Sequence, residues 1–200
     1  KLRVITIEGE CLEIGGACFD TPGYDLLALM TGSEGMLGIV TEITVKLLPK
    51  PEKAQVVMAA FDDIQMAGDA VANVIGAGII PAGMEMMDKL TTRAVEEYVH
   101  AGYNFDAEAI LLCESDGTEE EITDEIQRIN EIMKKSGAVD IKTSHNETER
   151  LTFWAGRKAA FPAAGRISPD YYCMDGTIPR RNLARVLAGI EKLSIKYGLR

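Results

Sequence analysis

The residues with the clearest chemical signature form a glycine-rich stretch in the first quarter of the chain. Its centre reads Gly32, Ser33, Glu34, Gly35, Met36, Leu37, Gly38, Ile39 and Val40, with glycines at spacings of three. Glycine permits tight turns and lets main-chain N–H groups come within about 2.9 Å of a ligand. The pattern predicts a loop that meets a partner closely and then enters a buried β-strand over 39–48. By itself, this spacing also fits a turn between strands that binds nothing.

A second candidate for chemistry is Arg157, in a segment that mixes cations, tyrosines and small residues. An arginine beside a cavity can hold a carboxylate through two parallel hydrogen bonds. The same residues fit a structural role, in which Arg157 forms an ion pair, for example with Asp175. In that interpretation Trp154, Tyr171 and Tyr172 are core aromatic residues. The pattern alone leaves both interpretations open.

Metal chemistry has little support in the residue types. The chain has only two histidines, and the acidic run Glu119, Glu120 and Glu121 suits the first turn of a helix, where carboxylates offset the helix dipole. Four cysteines are scattered without the spacing of a metal site or a CxxC pair. We therefore predict no metal site, and we interpret the cysteines as thiols of a reducing, cytoplasmic compartment.

Composition narrows the classes of partner. The 200 residues carry a net charge of −10, a pI near 4.8 and 46% hydrophobic residues, which indicate a globular chain with a core. This acidity argues against nucleic acid or an anionic membrane surface as partner and favours a small molecule. No apolar run reaches the roughly 20 residues that span a bilayer. The start has the features of neither a signal peptide nor an initiating methionine, so we expect the chain to begin within a longer protein.

The elements that position these candidates fall into two parts, which we expect to be domains 1–53 and 54–200. The first part predicts a β-hairpin over 4–14, a turn at Pro22 and Gly23, and a short helix over 25–30 before the glycine loop. The second part alternates strands over 55–61, 82–87, 107–114 and 139–143 with helices over 63–75, 88–101 and 118–135. This order predicts an α+β domain, ferredoxin-like, with helices on one face of an antiparallel sheet.

The last third predicts a helix over 146–161 that carries Arg157, begins with a capping pattern at Asn146 and ends at Pro162 and Gly165. A strand over 171–177 and a final helix that starts at Pro179 should follow.

The glycine loop also carries a family resemblance. The string TGSEGMLGIVTEITVKLLPKPE, residues 31–52, resembles the FAD-linked oxidases of the vanillyl-alcohol oxidase type. It is most similar to the branch that holds the glycolate oxidase D subunit, D-lactate dehydrogenase and D-2-hydroxyglutarate dehydrogenase. The resemblance implies that 1–53 is the end of an FAD-binding domain sheet and that residues 32–40 lie along FAD through their main-chain groups. Met36 stands where this family usually has Thr.

The segment around Arg157 extends the resemblance. Trp154-x-x-Arg157, followed by a strand with Asp175 and a helix-opening Pro179, resembles the cap domain of FAD-linked 2-hydroxy-acid oxidoreductases. The resemblance implies that Arg157 binds the substrate carboxylate. Cys173 stands where some relatives have a Lys that touches substrate, which favours the glycolate oxidase branch.

The resemblance further implies an internal fragment of a larger enzyme. Such enzymes carry a pyrophosphate-binding loop upstream and a His-x-Gly-Asp-Gly-Asn segment downstream, so no catalytic base is expected within this chain. The implied reaction oxidises glycolate or D-lactate to the 2-oxo acid with hydride transfer to FAD, with partner subunits as in a glycolate-oxidase-type complex. Two alternatives stay open: a catalytically silent cap or interaction module, and an FAD enzyme acting on another class of alcohol.

Overall fold

The chain divides after Lys50 into two compact units, Lys1–Lys50 and Pro51–Arg200. The structure is a computed structural model, and it describes residues 1–18 and 23–199. The turn predicted at Pro22 lies outside the described residues.

The first unit is a small antiparallel sheet with one short helix. Its elements are β1 (Leu2–Ile5), β2 (Cys11–Ile14), α1 (Leu26–Met30) and β3 (Ile39–Ile43). The strands lie in the order β2-β1-β3, which confirms the hairpin of β1 and β2. The side chain of Asp25 caps α1 by accepting a hydrogen bond from the Ala28 amide at 3.0 Å. The core is small: Val4, Ile14 and Met30 are buried, and Leu2 and Leu27 pack against them.

Strand β3 differs from the prediction in length and in burial. It ends at Ile43 rather than at Leu48, because its antiparallel partner β1 begins at Leu2, directly opposite Ile43. All five residues of β3 are exposed, so the expectation of a buried strand is wrong for this chain. The strand lies at the edge of its sheet, and the small core of this unit does not cover it.

The second unit is built on a four-stranded antiparallel sheet. Its strands are β4 (Lys53–Phe61), β5 (Gly83–Asp88), β6 (Ala109–Gly117) and β7 (Asp140–Thr143), in the order β5-β6-β4-β7. All three strand pairs are antiparallel. This is the strand order of a ferredoxin-like sheet, in which the first and third strands are central, and it confirms the predicted fold class.

Six helices accompany this sheet in the described part of the chain. They are α2 (Ile64–Gly76), α3 (Lys89–Val99), α4 (Glu119–Lys135), α5 (Glu147–Lys158), α6 (Ala160–Ile167) and α7 (Leu183–Tyr197). Side chains at the helix starts hold the first turns: Thr118 and Glu121 form a reciprocal capping box at α4, at the residue where the sequence predicts that this helix starts.

Both faces of the sheet are covered, whereas the sequence predicted helices on one face only. Alternate residues of β4 and β6, such as Phe61 and Leu111, pack against α2 and α4. The other set, such as Met58 and Leu112, packs against residues of α3, α5 and α6. Alternation places successive side chains on opposite faces, and the two central strands are apolar at both sets of positions.

The helix that carries Arg157 ends earlier than predicted, with its C-cap at Ala159, and the residues predicted to stop it lie within the next helix. Helix α5 ends at Lys158, and α6 starts at Ala160 and continues through Pro162 and Gly165 to Ile167. Pro162 is tolerated because it lies in the first turn of α6, where an N–H group would lack a partner within the helix.

Two further predictions concern the C-terminal third. The strand predicted over 171–177 is absent, and residues 169–177 are exposed with no strand partner. The last helix begins with a 3₁₀ turn at Arg180–Asn182, directly after Pro179, and continues as α7. Helix α7 packs closely on α2, because a Cβ atom at Gly68 would lie 2.6 Å from the Cβ of Ala184.

Candidate functional site

The glycine loop between α1 and β3 turns through a series of left-handed residues. The φ angles are +82° at Gly32, +51° at Glu34 and +81° at Gly35. Glycine adopts these angles without steric cost, whereas Glu34 is a non-glycine residue in a sparsely populated region, which costs about 1 kcal/mol or more. This strain marks the loop as a segment whose conformation is fixed by more than local preference.

The loop leaves several main-chain N–H groups free. Two turn hydrogen bonds hold it, from the Ser33 amide to the Met30 carbonyl at 3.2 Å and from the Met36 amide to the Ser33 carbonyl at 2.9 Å. The amides of Glu34, Gly35 and Leu37 have no acceptor among the described residues of the chain. Successive free amides in such a turn form a concave set of donors for an anionic or carbonyl-rich ligand.

The three glycines of the loop serve different purposes. A Cβ atom at Gly32 would have open space within 4 Å, and one at Gly35 would meet only Ile39, at 3.8 Å. A Cβ atom at Gly38 would lie 2.7 Å from the Val4 side chain and 3.0 Å from the Ile5 carbonyl oxygen. The close approach at Gly38 is therefore to β1 of the same unit, while Gly32 and Gly35 leave room for a partner.

The side chains around the free amides are exposed and apolar. Met36 is 83% exposed and Ile39 is 61% exposed, and Leu37 and Val40 are exposed as well. Exposed apolar residues in a contiguous segment mark a surface that contacts a partner in the working protein. Residues 32–40, which sequence reasoning assigned to a cofactor, form one continuous segment that is exposed except at the half-buried Ser33 and Gly38.

Arg157 lies in the last turn of α5, in the second unit. The Asn146 side chain accepts a hydrogen bond from the Glu149 amide at 2.9 Å, and Glu149 accepts one from the His145 amide at 2.8 Å, so the predicted capping pattern is present. Arg157 Nε donates to Glu85 Oε2 at 2.9 Å. The structural interpretation expected an ion pair for Arg157, and the structure shows one, with Glu85 on β5 as the partner in place of the example Asp175.

Arg157 and Glu85 line a cavity of about 310 Å³. Its other walls are Ile64, Met86, Met87, Asp88, Thr91, Ala160 and Leu187. Among the described residues, Arg157 is the one cation of this lining, which also holds apolar side chains, the Thr91 hydroxyl and two carboxylates. A guanidinium in such a cavity can take one small carboxylate as a bidentate partner.

The position of α5, and therefore of Arg157, is fixed by two sets of polar contacts, one to the loop between α3 and β6 and one to strand β6. Tyr103 donates its hydroxyl hydrogen to the Phe153 carbonyl. A Cβ atom at Gly156 would overlap the Tyr103 ring, so only glycine fits there. Burial raises the pKa of the Tyr103 hydroxyl to about 12, and the group therefore stays a neutral donor.

Glu114 on β6 provides the second contact. Its Oε2 accepts hydrogen bonds from Arg150 Nη1, at 2.7 Å, and from the Trp154 indole N–H, both on α5. The carboxylates of Glu147 and Glu114 raise the pKa of Arg150 further above its usual range. The Glu114–Arg150 pair is largely buried, at 14% and 19% side-chain exposure, so it fixes helix α5 more firmly than a surface pair would.

Sequence reasoning missed Glu85, Glu114 and Tyr103. Glu85 and Glu114 do carry a signal, because each is a charged residue within or at the end of an apolar strand pattern. The expectation of aromatic core residues near Arg157 is partly confirmed. Trp154 packs against the core that contains Met58 and Leu112, whereas Tyr171 and Tyr172 are 52% and 87% exposed.

A larger cavity of about 700 Å³ lies along the same strand. Glu85 and Met86 line it as well, together with Pro81, Arg180 and Leu183. Sequence reasoning assigned no role to Arg180, which is the cation of this second lining.

Two classes of feature are absent from the described structure. Across residues 1–18 and 23–199, no three histidine, cysteine, aspartate or glutamate side chains are grouped as metal ligands would be. No helix within those ranges has the length and apolar character needed to cross a bilayer.

Comparison with known proteins assigns the family. The model of "FAD linked oxidases, C-terminal domain" matches residues 50–200. Over all 200 residues the chain is 60% identical to the glycolate oxidase subunit GlcD of Escherichia coli strain K12, and it covers 40% of that protein. It is 37% identical to GlcD of Bacillus subtilis over 199 residues, or 42% of that protein, and 28% identical to a mitochondrial D-lactate dehydrogenase [cytochrome] of Arabidopsis thaliana, of which it covers 34%.

Solved structures agree in fold. A 4-ethylphenol oxidase from Gulosibacter chungangensis matches 98% of this chain and 46% of its own, with a TM-score of 0.70 at 17% identity. An alkyldihydroxyacetonephosphate synthase matches 98% of this chain and 40% of its own, with a TM-score of 0.69 at 20% identity. The chain spans about 40% of the length of the glycolate oxidase subunits that it matches. With the family model matching three quarters of its length, the chain belongs to the FAD-linked oxidases and contains the C-terminal domain of that family.

Proposed function

We propose that this chain is part of an FAD-dependent oxidoreductase that oxidises a small 2-hydroxy acid, glycolate or D-lactate, to the 2-oxo acid. The observation that carries the proposal is the 60% identity over the whole chain with the glycolate oxidase subunit of Escherichia coli. The two candidate sites are consistent with it, because one suits a cofactor and the other a carboxylate.

The glycine loop is the proposed FAD contact, through Gly32, Ser33, Glu34, Gly35, Met36, Leu37, Gly38, Ile39 and Val40. The loop fits such a ligand, because three amides are free and the space beside Gly32 and Gly35 is open. The exposed Met36 and Ile39 side chains offer apolar surface for a flat ring system. FAD, when bound, supplies the two-electron acceptor for the hydride of the substrate.

Arg157 is the proposed substrate-binding residue. Its guanidinium lies in a small cavity and has donors to spare for a carboxylate. Holding the carboxylate at a fixed point orients the C2 carbon and its hydroxyl group. The reacting atoms are then positioned before the reaction begins, which lowers its entropic cost. As the family resemblance implies, we assign removal of the hydroxyl proton to a base outside this chain.

The partners follow from the same relatives. The matched glycolate oxidase proteins are named as subunits, and we propose that the whole protein likewise works with partner subunits. We also propose a cytoplasmic location, supported by Cys11, Cys18 and Cys173, which are free and exposed thiols as a reducing compartment maintains them.

The test uses the whole protein that contains this chain, purified with its flavin. Glycolate, D-lactate and L-lactate are supplied with an artificial electron acceptor, next to a phenol as a substrate from another class. We expect turnover of glycolate or D-lactate and none of the phenol. Turnover of the phenol alone would assign another alcohol class, and a purified protein without flavin or turnover would support the interaction-module alternative.

Arg157→Ala tests the role of the arginine in that protein. Losing a charged hydrogen bond to a carboxylate costs about 2 to 4 kcal/mol, so kcat/KM for the 2-hydroxy acid should fall by roughly 30-fold to 1000-fold. Arg185→Ala is the matched control, because Arg185 is an exposed arginine on a helix of the same unit and lines neither cavity. Unchanged kinetics in Arg157→Ala would remove this arginine from the site.

A further inference from the structure

The carboxylate of Glu85 occupies an unusual place in the second unit. It stands in the middle of β5, an edge strand of the sheet. Met84 and Met86, its neighbours in sequence, pack against the core on one face of the sheet, and Met87 packs against the core on the face that Glu85 shares. An acidic residue in an apolar strand is uncommon unless it has a specific partner. Here the partner is Arg157, 72 positions away in the sequence.

The contact with Glu85 uses only one edge of the Arg157 guanidinium. Arg157 donates to Glu85 through Nε, at 2.9 Å. Within the part of the chain that the structure describes, the guanidinium has no other hydrogen-bond partner. A guanidinium offers five N–H donors in a planar fork, so engagement through Nε leaves the donors of Nη1 and Nη2 for a second carboxylate.

Other contacts already fix the backbone of α5 at Arg157, so the contact with Glu85 affects only the orientation of the Arg157 side chain. Tyr103 and Glu114 hold α5 at Phe153, Arg150 and Trp154, within two turns of Arg157. The remaining freedom is the rotation of the long arginine side chain, which is 37% exposed. A side chain that is restrained before the ligand arrives loses less entropy on binding.

We infer that Glu85 is a positioning residue, which orients the Arg157 guanidinium through Nε so that its two Nη groups face the carboxylate of the substrate. This inference rests on the proposed function, because it takes Arg157 as the substrate-binding residue. Glu85 also offsets the positive charge of Arg157, so the lining of the cavity contains one cation, Arg157, and two carboxylates, Glu85 and Asp88. Such a lining suits a monocarboxylate, since it offers a second carboxylate no cation.

The experiment compares Glu85→Ala and Glu85→Gln in the whole flavin-loaded protein. Glu85→Ala removes the acceptor of the Nε–H group, so KM for the 2-hydroxy acid should rise about tenfold while kcat stays within about threefold. Glu85→Gln keeps an amide oxygen as acceptor, so it should restore KM to within about threefold of the wild type. It also removes one negative charge from the cavity, so inhibition by a dicarboxylate such as hydroxymalonate should strengthen severalfold.

Glu108→Ala is the matched control for loss of a partly exposed carboxylate. Glu108 pairs with Lys89 and is 44% exposed, against 41% for Glu85, and it does not line the cavity of Arg157. Its kinetics should equal those of the wild type. Because an ion pair of such exposure contributes little to folding, Glu85→Ala should fold, and thermal unfolding of the variant beside the wild type checks this.

A measurement without turnover uses the 200-residue chain itself. The Nε–H resonance of Arg157, identified by its loss in Arg157→Lys, should exchange slowly with water in the wild type and in Glu85→Gln, and rapidly in Glu85→Ala. The inference is overturned if Glu85→Ala leaves KM unchanged while Arg157→Ala raises it, or if Glu85→Gln is impaired as much as Glu85→Ala. If Arg157→Ala leaves KM unchanged, the arginine role in the proposed function fails, and the inference about Glu85 fails with it.

Discussion

Each of the two sheets contains a strand rich in apolar residues, but β4 in the second unit is buried whereas β3 in the first unit is exposed. In β4 of the second unit, the run from Val56 to Phe61 is buried at every position, because helices cover both faces of the sheet. In β3 of the first unit, Ile39, Val40 and Ile43 are all exposed. A strand that is apolar on both faces is typical of a sheet covered on both sides. The first unit therefore presents surface that its own small core does not use, and the second unit has little surface of this kind in its sheet.

The largest expected effect breaks the core of the second unit. Phe61→Ala removes a fully buried ring packed between β4 and the α2–α4 layer, so the free energy of unfolding should fall by about 3 to 5 kcal/mol. Urea unfolding followed by the fluorescence of Trp154, the single tryptophan, reports this unit specifically. Hydrogen exchange of β1 and β3 in the same variant should stay unchanged, because the first unit has its own core. Equal loosening of both units would show that they unfold together.

The next effect concerns the packing of Gly156, the residue before Arg157 on α5, against the Tyr103 ring. Gly156→Ala places a Cβ atom inside the Tyr103 ring, so α5 must shift and the free energy of unfolding should fall by about 1 to 3 kcal/mol. Gly189→Ala is the matched control, since Gly189 lies inside α7 with open space at its Cβ position and should gain up to about 1 kcal/mol. Both values come from urea unfolding by Trp154 fluorescence. A neutral Gly156→Ala would contradict the close contact with Tyr103.

A smaller effect appears on raising the pH. Burial raises the pKa of the Cys113 thiol to about 12, above its ordinary value of 9.0. The folded state therefore keeps this proton while the unfolded state loses it, so stability is complete below pH 9 and falls as the pH rises from 9 to 12. The slope should be about 0.7 kcal/mol per pH unit at pH 9 and approach about 1.4 kcal/mol per pH unit by pH 10.

Urea unfolding at pH 8, 9 and 10 in reductant measures that slope. Cys113→Ala should lose it, and Cys173→Ala should keep it, because Cys173 is exposed. A thiol reagent should likewise modify Cys11, Cys18 and Cys173 at once and Cys113 only on unfolding. A slope that persists in Cys113→Ala would assign the alkaline loss of stability to another group.

Local patterns predicted most elements of the second unit, because its core repeats with the periods of helices and strands. Helix α4 illustrates this: Ile122, Ile126, Ile129 and Met133 are buried at helical spacing, and the Thr118 capping box marks the start. The four strands, their helices and the α+β class followed from the same reasoning. The cover on the second face of the sheet did not, since which face a helix covers depends on contacts between distant segments.

The site was predicted less completely for the same physical reason. Arg157 and residues 32–40 stand out by type and spacing, whereas the partner of Arg157, Glu85, is distant in sequence and became visible only through the fold. The segment 171–177 has the composition of a strand, yet no strand within residues 1–18 and 23–199 pairs with it. The roles of the loop and of Arg157 stay predictions until they are tested in the whole protein.

The smallest expected effect sharpens the contrast within the first unit. Ile39 lies opposite Ile5 on β1 and is 61% exposed, so Ile39→Ala should change the stability of this unit by less than about 0.5 kcal/mol. Val4, one position before Ile5 on β1, is 1% exposed, and Val4→Ala should cost about 2 kcal/mol through two lost methyl groups and the cavity they leave. Hydrogen exchange of the β1 amides measures both. An Ile39→Ala cost equal to that of Val4→Ala would mean that β3 is covered in solution. The exposed apolar surface assigned to FAD would then already have a partner within the chain.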